Sequence, residues 1–221
     1  MKRGRGERRE ARQRREASKA KGRGVGQGLV AKALMHEEPW KPTKQQLEDA
    51  AHKRVPDLIK PDLEVLFCGI NPGLYTAAIG HHFGRPGNRF WKVLHLAGFT
   101  SRQLSPFEES ELLDSGVGII NVVERPTRTA AELSKDEYEQ GARAVVAKLR
   151  KYKPKVLAVV GVQAYRIGFN QPKAQVGEQP DKIGNTAVWA LPNPSGLQAH
   201  YLLADMVELY SDMRKRSLLD S

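Results

Sequence analysis

The chain has 221 residues, 40% of them hydrophobic, which is enough for one α/β domain with a full core and too few for two. No apolar run approaches the roughly 18 residues of a membrane-spanning helix, and the first residues lack the apolar stretch of a secretory signal. We therefore expect an intracellular protein without membrane contacts. The single cysteine, Cys68, lies in an apolar segment, which excludes an intramolecular disulfide and a site built from several thiolates.

The formal net charge of +11 is concentrated in residues 1–28, where eleven basic and three acidic residues give +8. This segment has almost no large apolar side chains, so burial cannot offset its ordering entropy, and we predict a disordered arm. A flexible basic arm favours encounters with nucleic acid, although a solubility tail explains the same composition. We divide the chain into the arm 1–28, a linker with an N-terminal helix at 29–62, a folded domain at 63–216 and a C-terminal tail at 217–221.

From residue 43 onwards, helical and strand-like patterns alternate. A capping box at Thr43–Gln46 predicts the start of the first helix. Strands are predicted at 63–70, 117–123, 155–161 and 186–191, and later helices are predicted to begin near residues 88, 105, 134, 162 and 199. The last of these helices is expected to bury Leu202, Leu203, Met206, Leu209 and Met213. This alternation indicates an α/β fold, a three-layer αβα sandwich with a four-stranded, mainly parallel sheet.

Asparagine follows or ends three of the predicted strands. The first strand is followed by Asn71-Pro72-Gly73-Leu74 and the fourth by Asn193-Pro194-Ser195-Gly196-Leu197, while Asn121 lies near the end of the second. Ligands bind an open parallel sheet at the carboxyl ends of its strands, so we expect a site there.

The residue types at this edge favour positioning over acid–base chemistry. We expect no metal, because the adjacent His81 and His82 point apart on an extended backbone and Cys68 is buried. Ser195 lacks the surroundings of a hydrolase nucleophile, and no phosphate-binding loop is present. Amide side chains are poor bases near neutral pH, but they can hold a water molecule and recognise an amide-bearing ligand.

Residues 63 to about 215 resemble the mismatch-specific uracil-DNA and thymine-DNA glycosylases. The resemblance is carried by two signatures, Gly69 to Leu74 and Asn193 to Leu197, and by three further segments at 80–83, 86–92 and 122–127. It implies the uracil-DNA glycosylase fold, a four-stranded parallel sheet between helices, and no cofactor.

The same resemblance implies roles for residues of the first signature and its surroundings. Asn71 would hold the water that attacks C1′ of the deoxyribose, and Phe83 would stack on the extruded base. Ile70 would contact the base edge through its backbone, and Thr76 would form the wall beside C5 of the base. Asn121 stands where the thymine-directed branch has asparagine and the best-known bacterial branch has lysine, which implies an auxiliary catalytic or base-reading role.

The second signature resembles a loop that enters the DNA duplex. Leu197 would fill the gap left by the base, with Gly196 pressing its backbone towards the unpaired guanine, and with Ser195 beside them. Asn193 would belong to the base pocket. Gln198 and the alanine after it stand where the bacterial relative has serine and arginine, which puts the opposite-base preference in doubt.

Several charged residues near these signatures have two interpretations each. His81 and His82 either contact phosphate or hold their own loop, and Arg89 and Lys92 are either phosphate contacts or solvated charges. Glu124 is expected to pair with the arginine that follows it, or to accept a loop hydrogen bond, rather than to act as a base.

The resemblance implies a monofunctional DNA glycosylase of base excision repair. Such an enzyme extrudes uracil, and in some cases thymine or ethenocytosine, from mispairs with guanine and hydrolyses the N-glycosidic bond to leave an abasic site. We expect a monomer whose partner is double-stranded DNA with a mispaired or damaged pyrimidine, and whose product passes to abasic-site repair enzymes. The rival hypothesis is a non-catalytic nucleic-acid or DNA-damage binding module with the same fold.

Overall fold

The computed structural model describes residues 41–196 and 200–219. The prediction of a disordered arm at 1–28, and the roles assigned to Leu197 and Gln198, lie outside the described residues. None of the described helices combines the length and the apolar character needed to cross a bilayer.

A five-stranded sheet forms the centre of the structure. Its strands are β1 (Val65–Gly69), β2 (Val117–Asn121), β3 (Val156–Val160), β4 (Gly177–Glu178) and β5 (Ala187–Leu191), in the spatial order β2-β1-β3-β5-β4. The four predicted strands are confirmed and pair in parallel. The expected number of four strands is wrong, because β4 adds an antiparallel edge to β5. Two residues are too few to show an alternating pattern in the sequence.

Helices cover both faces of this sheet, as the α/β prediction requires. The α-helices are α1 (Lys44–Asp49), α2 (Leu74–Ile79), α3 (Phe90–Leu96), α4 (Lys135–Tyr152), α5 (Val162–Gly168) and α6 (Leu203–Leu219). Short 3₁₀ helices occur at Ala50–His52, Pro106–Ser115 and Ala130–Glu132. The helix predicted to begin near residue 105 is thus a 3₁₀ helix, and the six-residue α2 was not predicted.

The burial pattern explains why the strands are continuous apolar runs. All five residues of β1, β2 and β3 are buried, as expected for strands covered on both faces. One face packs Phe67 and Trp189 against Tyr210 of α6, and the other packs Leu66 and Leu157 against α4 and α5. These two clusters are the two halves of a three-layer sandwich.

The amino-terminal end of α6 corrects one core prediction. Leu202 was expected to be buried, yet 69% of its surface is exposed. The helix begins one residue later, and the backbone N–H of Leu202 donates to Oδ2 of Asp205 at 2.8 Å. Met206 and Met213 are fully buried as predicted.

Additional backbone pairing occurs on both sides of the four parallel strands. Beside β2, Leu58 and Ile119 exchange backbone hydrogen bonds of 2.9 and 2.8 Å in an antiparallel bridge. At the other edge, β4 occupies the free side of β5. The carboxyl ends of the parallel strands remain open, and the cleft described next lies there.

Candidate active site at the carboxyl edge of the sheet

A cleft of about 370 Å³ opens where β1, β2, β3 and β5 end. Its wall is formed by the loop after β1, the segment before α3, the loop after β2 and the second Asn-Pro loop. Arg85 and Arg128 contribute positive charge, and no aspartate or glutamate belongs to the described lining. The volume lies within the range of about 300 to 1,000 Å³ that is usual for small-ligand sites.

Most of the site residues predicted from the sequence meet in this cleft. Those that line it are Ile70, Asn71, Thr76, His82, Phe83, Asn121, Asn193 and Ser195. His81, Arg89, Lys92 and Gly196 lie outside its lining. The asparagines at the strand ends lie at one edge of the sheet, as predicted from the sequence. Their chemical roles stay predictions.

The side chain of Asn71 is fixed by the loop after β2. Its Nδ2 donates to the carbonyl oxygen of Arg125 at 2.9 Å and to Oγ1 of Thr127 at 2.7 Å. A carbonyl oxygen only accepts hydrogen bonds, so the amide nitrogen must face Arg125. The Oδ1 atom is therefore on the other side of the amide, and it accepts no hydrogen bond from the described residues.

Backbone contacts join the same two loops. The N–H of Thr127 donates to the carbonyl of Pro72 at 3.1 Å, and the N–H of Leu74 donates to the carbonyl of Thr127 at 3.2 Å. Only 3% of the surface of Thr127 is exposed. The first Asn-Pro turn is thus held along its length by a segment more than 50 residues away in the sequence.

Asn121 lies over the backbone of Gly69 on the floor of the cleft. A Cβ atom at position 69 would come within 2.6 Å of Oδ1 of Asn121, so only glycine leaves room for this amide. Nδ2 of Asn121 lies 3.5 Å from Nδ1 of His82. The other ring nitrogen of His82 lies 2.9 Å from the carbonyl of Pro56 and must donate to it.

The environment of His82 favours its neutral form. Burial lowers the pKa of this imidazole, and only 1% of the residue is exposed. With the Nε2 proton committed to Pro56, Nδ1 is left as an acceptor for the Nδ2 group of Asn121. This contact fixes the orientation of the Asn121 amide.

Glu109 holds the two histidines in place. Its Oε1 lies 2.9 Å from Nδ1 of His81, and its Oε2 accepts the backbone N–H of His82 at 2.8 Å. The indole N–H of Trp91 donates to the carbonyl of His82 at 3.3 Å. For His82 the geometry favours loop holding, because only 1% of the residue is exposed. The side chain of His81 is 32% exposed, and a phosphate contact stays a prediction for it.

Phe83 and Thr76 form an apolar side of the cleft. Phe83 has a positive φ of 51° and stacks on Phe90, with ring centroids 3.8 Å apart and planes inclined by 20°. A non-glycine residue in this conformation is strained, so the surrounding structure must impose it. The hydroxyl of Thr76 accepts the N–H of Gly84 at 3.2 Å, which fixes its methyl group as well.

The second Asn-Pro loop is held in a different way. The Oδ1 atom of Asn193 accepts the N–H of Ser195 at 3.0 Å, which closes a local turn. The guanidinium of Arg89 donates to the carbonyls of Ser195 and Tyr201, at 3.3 and 2.8 Å. Arg89, expected to be a phosphate contact or a solvated charge, therefore binds backbone carbonyls of the protein, whereas Lys92 is exposed.

The charge pairs beside the cleft correct the expectation for Glu124. This carboxylate lies 3.1 Å from Arg54 and 3.6 Å from Lys148, and not beside the arginine that follows it. Arg125 instead donates to Glu137, which lowers the pKa of Glu137 to about 2. The expectation that Glu124 forms a pair is correct, and its expected partner is wrong.

Sequence reasoning missed several residues of the cleft, and three of them bear on its chemistry. Thr127 was noticed only as part of a matching segment, because nothing local shows that its hydroxyl meets Asn71. Arg85 and Arg128 line the opening with positive charge. Their position beside the two recognised motifs was a usable signal, because the sequence already predicted a nucleic-acid partner.

The chain matches one protein family, and its structure is similar to a solved structure with the same fold. Residues 56–214 match the model of a protein family described as the uracil DNA glycosylase superfamily. The structure is similar to the solution NMR structure of a candidate uracil DNA glycosylase from Methanosarcina acetivorans, with a TM-score of 0.52. The alignment has 16% sequence identity and covers 73% of this chain and 98% of the other, which supports the fold alone.

Proposed function

Because the chain belongs to the uracil DNA glycosylase superfamily, we propose that it is a monofunctional glycosylase that removes uracil from mispairs with guanine. Thymine and ethenocytosine opposite guanine are the further substrates of this proposal. The superfamily supports DNA as the partner and hydrolysis of the N-glycosidic bond as the reaction. The preference for mispairs and the roles of individual residues are argued from the cleft.

The observation that carries the proposal is the fixed amide of Asn71. Its NH₂ group is committed to Arg125 and Thr127, so its Oδ1 is the atom that remains to orient a water molecule. An amide side chain does not take up a proton near neutral pH, and the described lining contains no carboxylate that could act as a base. The water is therefore positioned rather than deprotonated before it reacts.

This arrangement suits a reaction in which the leaving group departs early. The bond between C1′ and the pyrimidine nitrogen breaks, and its electron pair leaves with the base. The water oxygen then bonds to C1′, and its surplus proton neutralises the pyrimidine anion, directly or through solvent. Arg85 and Arg128 at the cleft favour an anionic leaving group electrostatically.

The cost of base extrusion explains the proposed preference for mispairs. A base inside a duplex must be unpaired and unstacked at a cost of a few kcal/mol, which is lowest for a mispair. Phe83 offers a ring, itself stacked on Phe90, against which the extruded base can lie. The second Asn-Pro loop, with exposed Gly196, is the segment that inserts into the gap that the extruded base leaves in the stack.

Single-turnover base release tests the proposal. Duplexes with U:G, T:G and ethenocytosine:G pairs are incubated with excess parent protein and with Asn71→Ala. We expect release from U:G by the parent and a loss of about a hundredfold or more in the variant, since misplaced reacting groups cost that much. Equal rates in the two proteins contradict the role of Asn71. Tight binding of the U:G duplex without any release favours the non-catalytic binding module.

A further inference from the structure

Arg89 contacts the first and last residues of the segment 195–201, which continues the second Asn-Pro loop and is called the 195–201 loop below. Its Nη1 donates to the carbonyl of Tyr201 at 2.8 Å, and its Nη2 donates to the carbonyl of Ser195 at 3.3 Å. Its backbone N–H donates to the carbonyl of Pro194 at 3.0 Å. One residue thus connects to the chain before and after the segment proposed to enter DNA.

The position of Arg89 in the fold supports a function other than helix stability. It is the N-cap residue of α3, and no acidic residue lies in the first turn of that helix. The amino-terminal end of a helix carries partial positive charge, so a cation there is unfavourable by itself. The half-buried guanidinium is compensated by the carbonyl oxygens of the second loop.

A second contact joins the same two regions. The Cα of Gly196 approaches the 85–88 turn so closely that a Cβ at this position would lie 2.8 Å from the carbonyl oxygen of Gly87. The segment just before Arg89 and the beginning of the loop are therefore packed backbone to backbone. Side-chain and backbone contacts together restrain the beginning of the loop.

We propose that Arg89 is a positioning residue whose guanidinium holds the two ends of the 195–201 loop at a fixed separation before the protein meets DNA. We call Arg89, with its three carbonyl acceptors, the Arg89 brace. Fixing the ends in advance lowers the ordering cost of inserting the loop, because less conformational freedom is lost on binding. The expected effect on base release from duplex DNA rests on the proposed function. The contacts of the brace do not, and they can be measured in the free protein.

Salt dependence of DNA binding distinguishes the brace from a phosphate contact. Loss of one phosphate contact lowers the slope of the logarithm of affinity against the logarithm of salt concentration by about 1. Loss of the brace leaves this slope unchanged. Arg89→Met removes the guanidinium at similar length, Arg89→Lys keeps the charge without the fork that spans two carbonyls, and Lys92→Met is the matched control on the exposed side of α3.

The first measurement uses hydrogen–deuterium exchange of the free protein in the peptide covering 193–203. We expect exchange about tenfold faster in Arg89→Met and in Arg89→Lys than in the parent, and parental exchange in Lys92→Met. Parental exchange in both Arg89 variants overturns the brace, whatever the activity of the protein. A denaturant titration of each variant identifies global unfolding, and Arg89→Lys decides the question if Arg89→Met does not fold.

The second measurement compares uracil release at saturating enzyme from a U:G pair in a full duplex and in a three-base-pair mismatched bubble. Extrusion costs less in the bubble, so we expect the Arg89→Met defect to be about tenfold in the duplex and to fall to about twofold in the bubble. An equal defect on both substrates, or a salt slope lowered by about 1 and restored by Arg89→Lys, contradicts positioning by the brace. If the parent releases no uracil from either substrate, the proposed glycosylase function fails and exchange alone decides on the brace.

Discussion

The two asparagine-proline loops follow equivalent parallel strands, yet their asparagines are used in opposite directions. Asn71 gives its NH₂ group to a distant segment, whereas Asn193 gives its carbonyl oxygen to Ser195 within its own turn. The first loop is thereby fixed to the rest of the site. The second is folded locally and is also held by Arg89 and by the packing of Gly196 against Gly87. The same dipeptide therefore carries an amide attached to a distant segment in one place and an amide that closes a local turn in the other.

Alanine substitution of the two asparagines gives the largest contrast. We expect Asn71→Ala to lower the saturated rate of base release by about a hundredfold or more, because the reacting water loses its orienting group. Asn193→Ala removes one turn hydrogen bond and should lower the rate by at most about tenfold, the equivalent of about 1.4 kcal/mol. Single-turnover rates on a U:G duplex measure both. Equal losses contradict the division of labour between the loops.

Thr127 provides a sharper test of how the first loop is held. Thr127→Val keeps the shape of the side chain and removes the acceptor for Nδ2 of Asn71, so we expect a rate loss of about tenfold. Thr127→Ser keeps the hydroxyl and should stay near the parental rate. The comparison uses the same release assay at saturating enzyme. A Val variant as active as the Ser variant shows that the backbone contacts of Thr127 suffice.

Glycine substitutions test the packing of the two loops. A Cβ at Gly196 meets the carbonyl oxygen of Gly87, whereas a Cβ at Gly73 has no atom within 4 Å among the described residues. We expect Gly196→Ala to lower the free energy of unfolding by about 1 kcal/mol, and Gly73→Ala to change it by less than about 0.5 kcal/mol. Denaturant titrations measure these differences. A destabilised Gly73→Ala protein with an unaffected Gly196→Ala protein reverses the expected order.

Acidification should have the smallest effect, a decrease in the free energy of unfolding that comes from His82. Burial lowers the pKa of His82 from its usual 6.5 in the folded protein, so the unfolded chain binds a proton first as pH falls. The contribution of neutral His82 to stability is complete above pH 6.5 and is lost progressively below it. Unfolding titrations at several pH values should show this loss in the parent and not in His82→Gln. Parallel curves for the two proteins contradict it.

Local patterns in the sequence were sufficient for the framework of the fold. The buried strands are continuous apolar runs, and the capping boxes at Thr43 and Ser134 begin helices where predicted. The meeting of Asn71, Asn121 and Asn193 followed from the rule that parallel strands end at one edge. These features depend on neighbouring residues or on a general property of α/β sheets.

The unpredicted features depend on contacts between distant segments. The attachment of Asn71 to Arg125, the pairing of Glu124 with Arg54 and the contact of Arg89 with Tyr201 each join residues more than 50 positions apart. Nothing in the local sequence encodes such pairs. The two-residue strand β4 and the exposure of Leu202 depend likewise on where neighbouring segments fold back.

The additional backbone pairing on both sides of the parallel strands has a consequence for contacts between copies of the protein. An unpaired strand edge can recruit the same edge of another molecule and start aggregation. Here the outer side of β2 is occupied at Leu58, and β5 is shielded by the short β4. A second copy therefore finds less free backbone beside the long parallel strands, which disfavours strand addition between molecules.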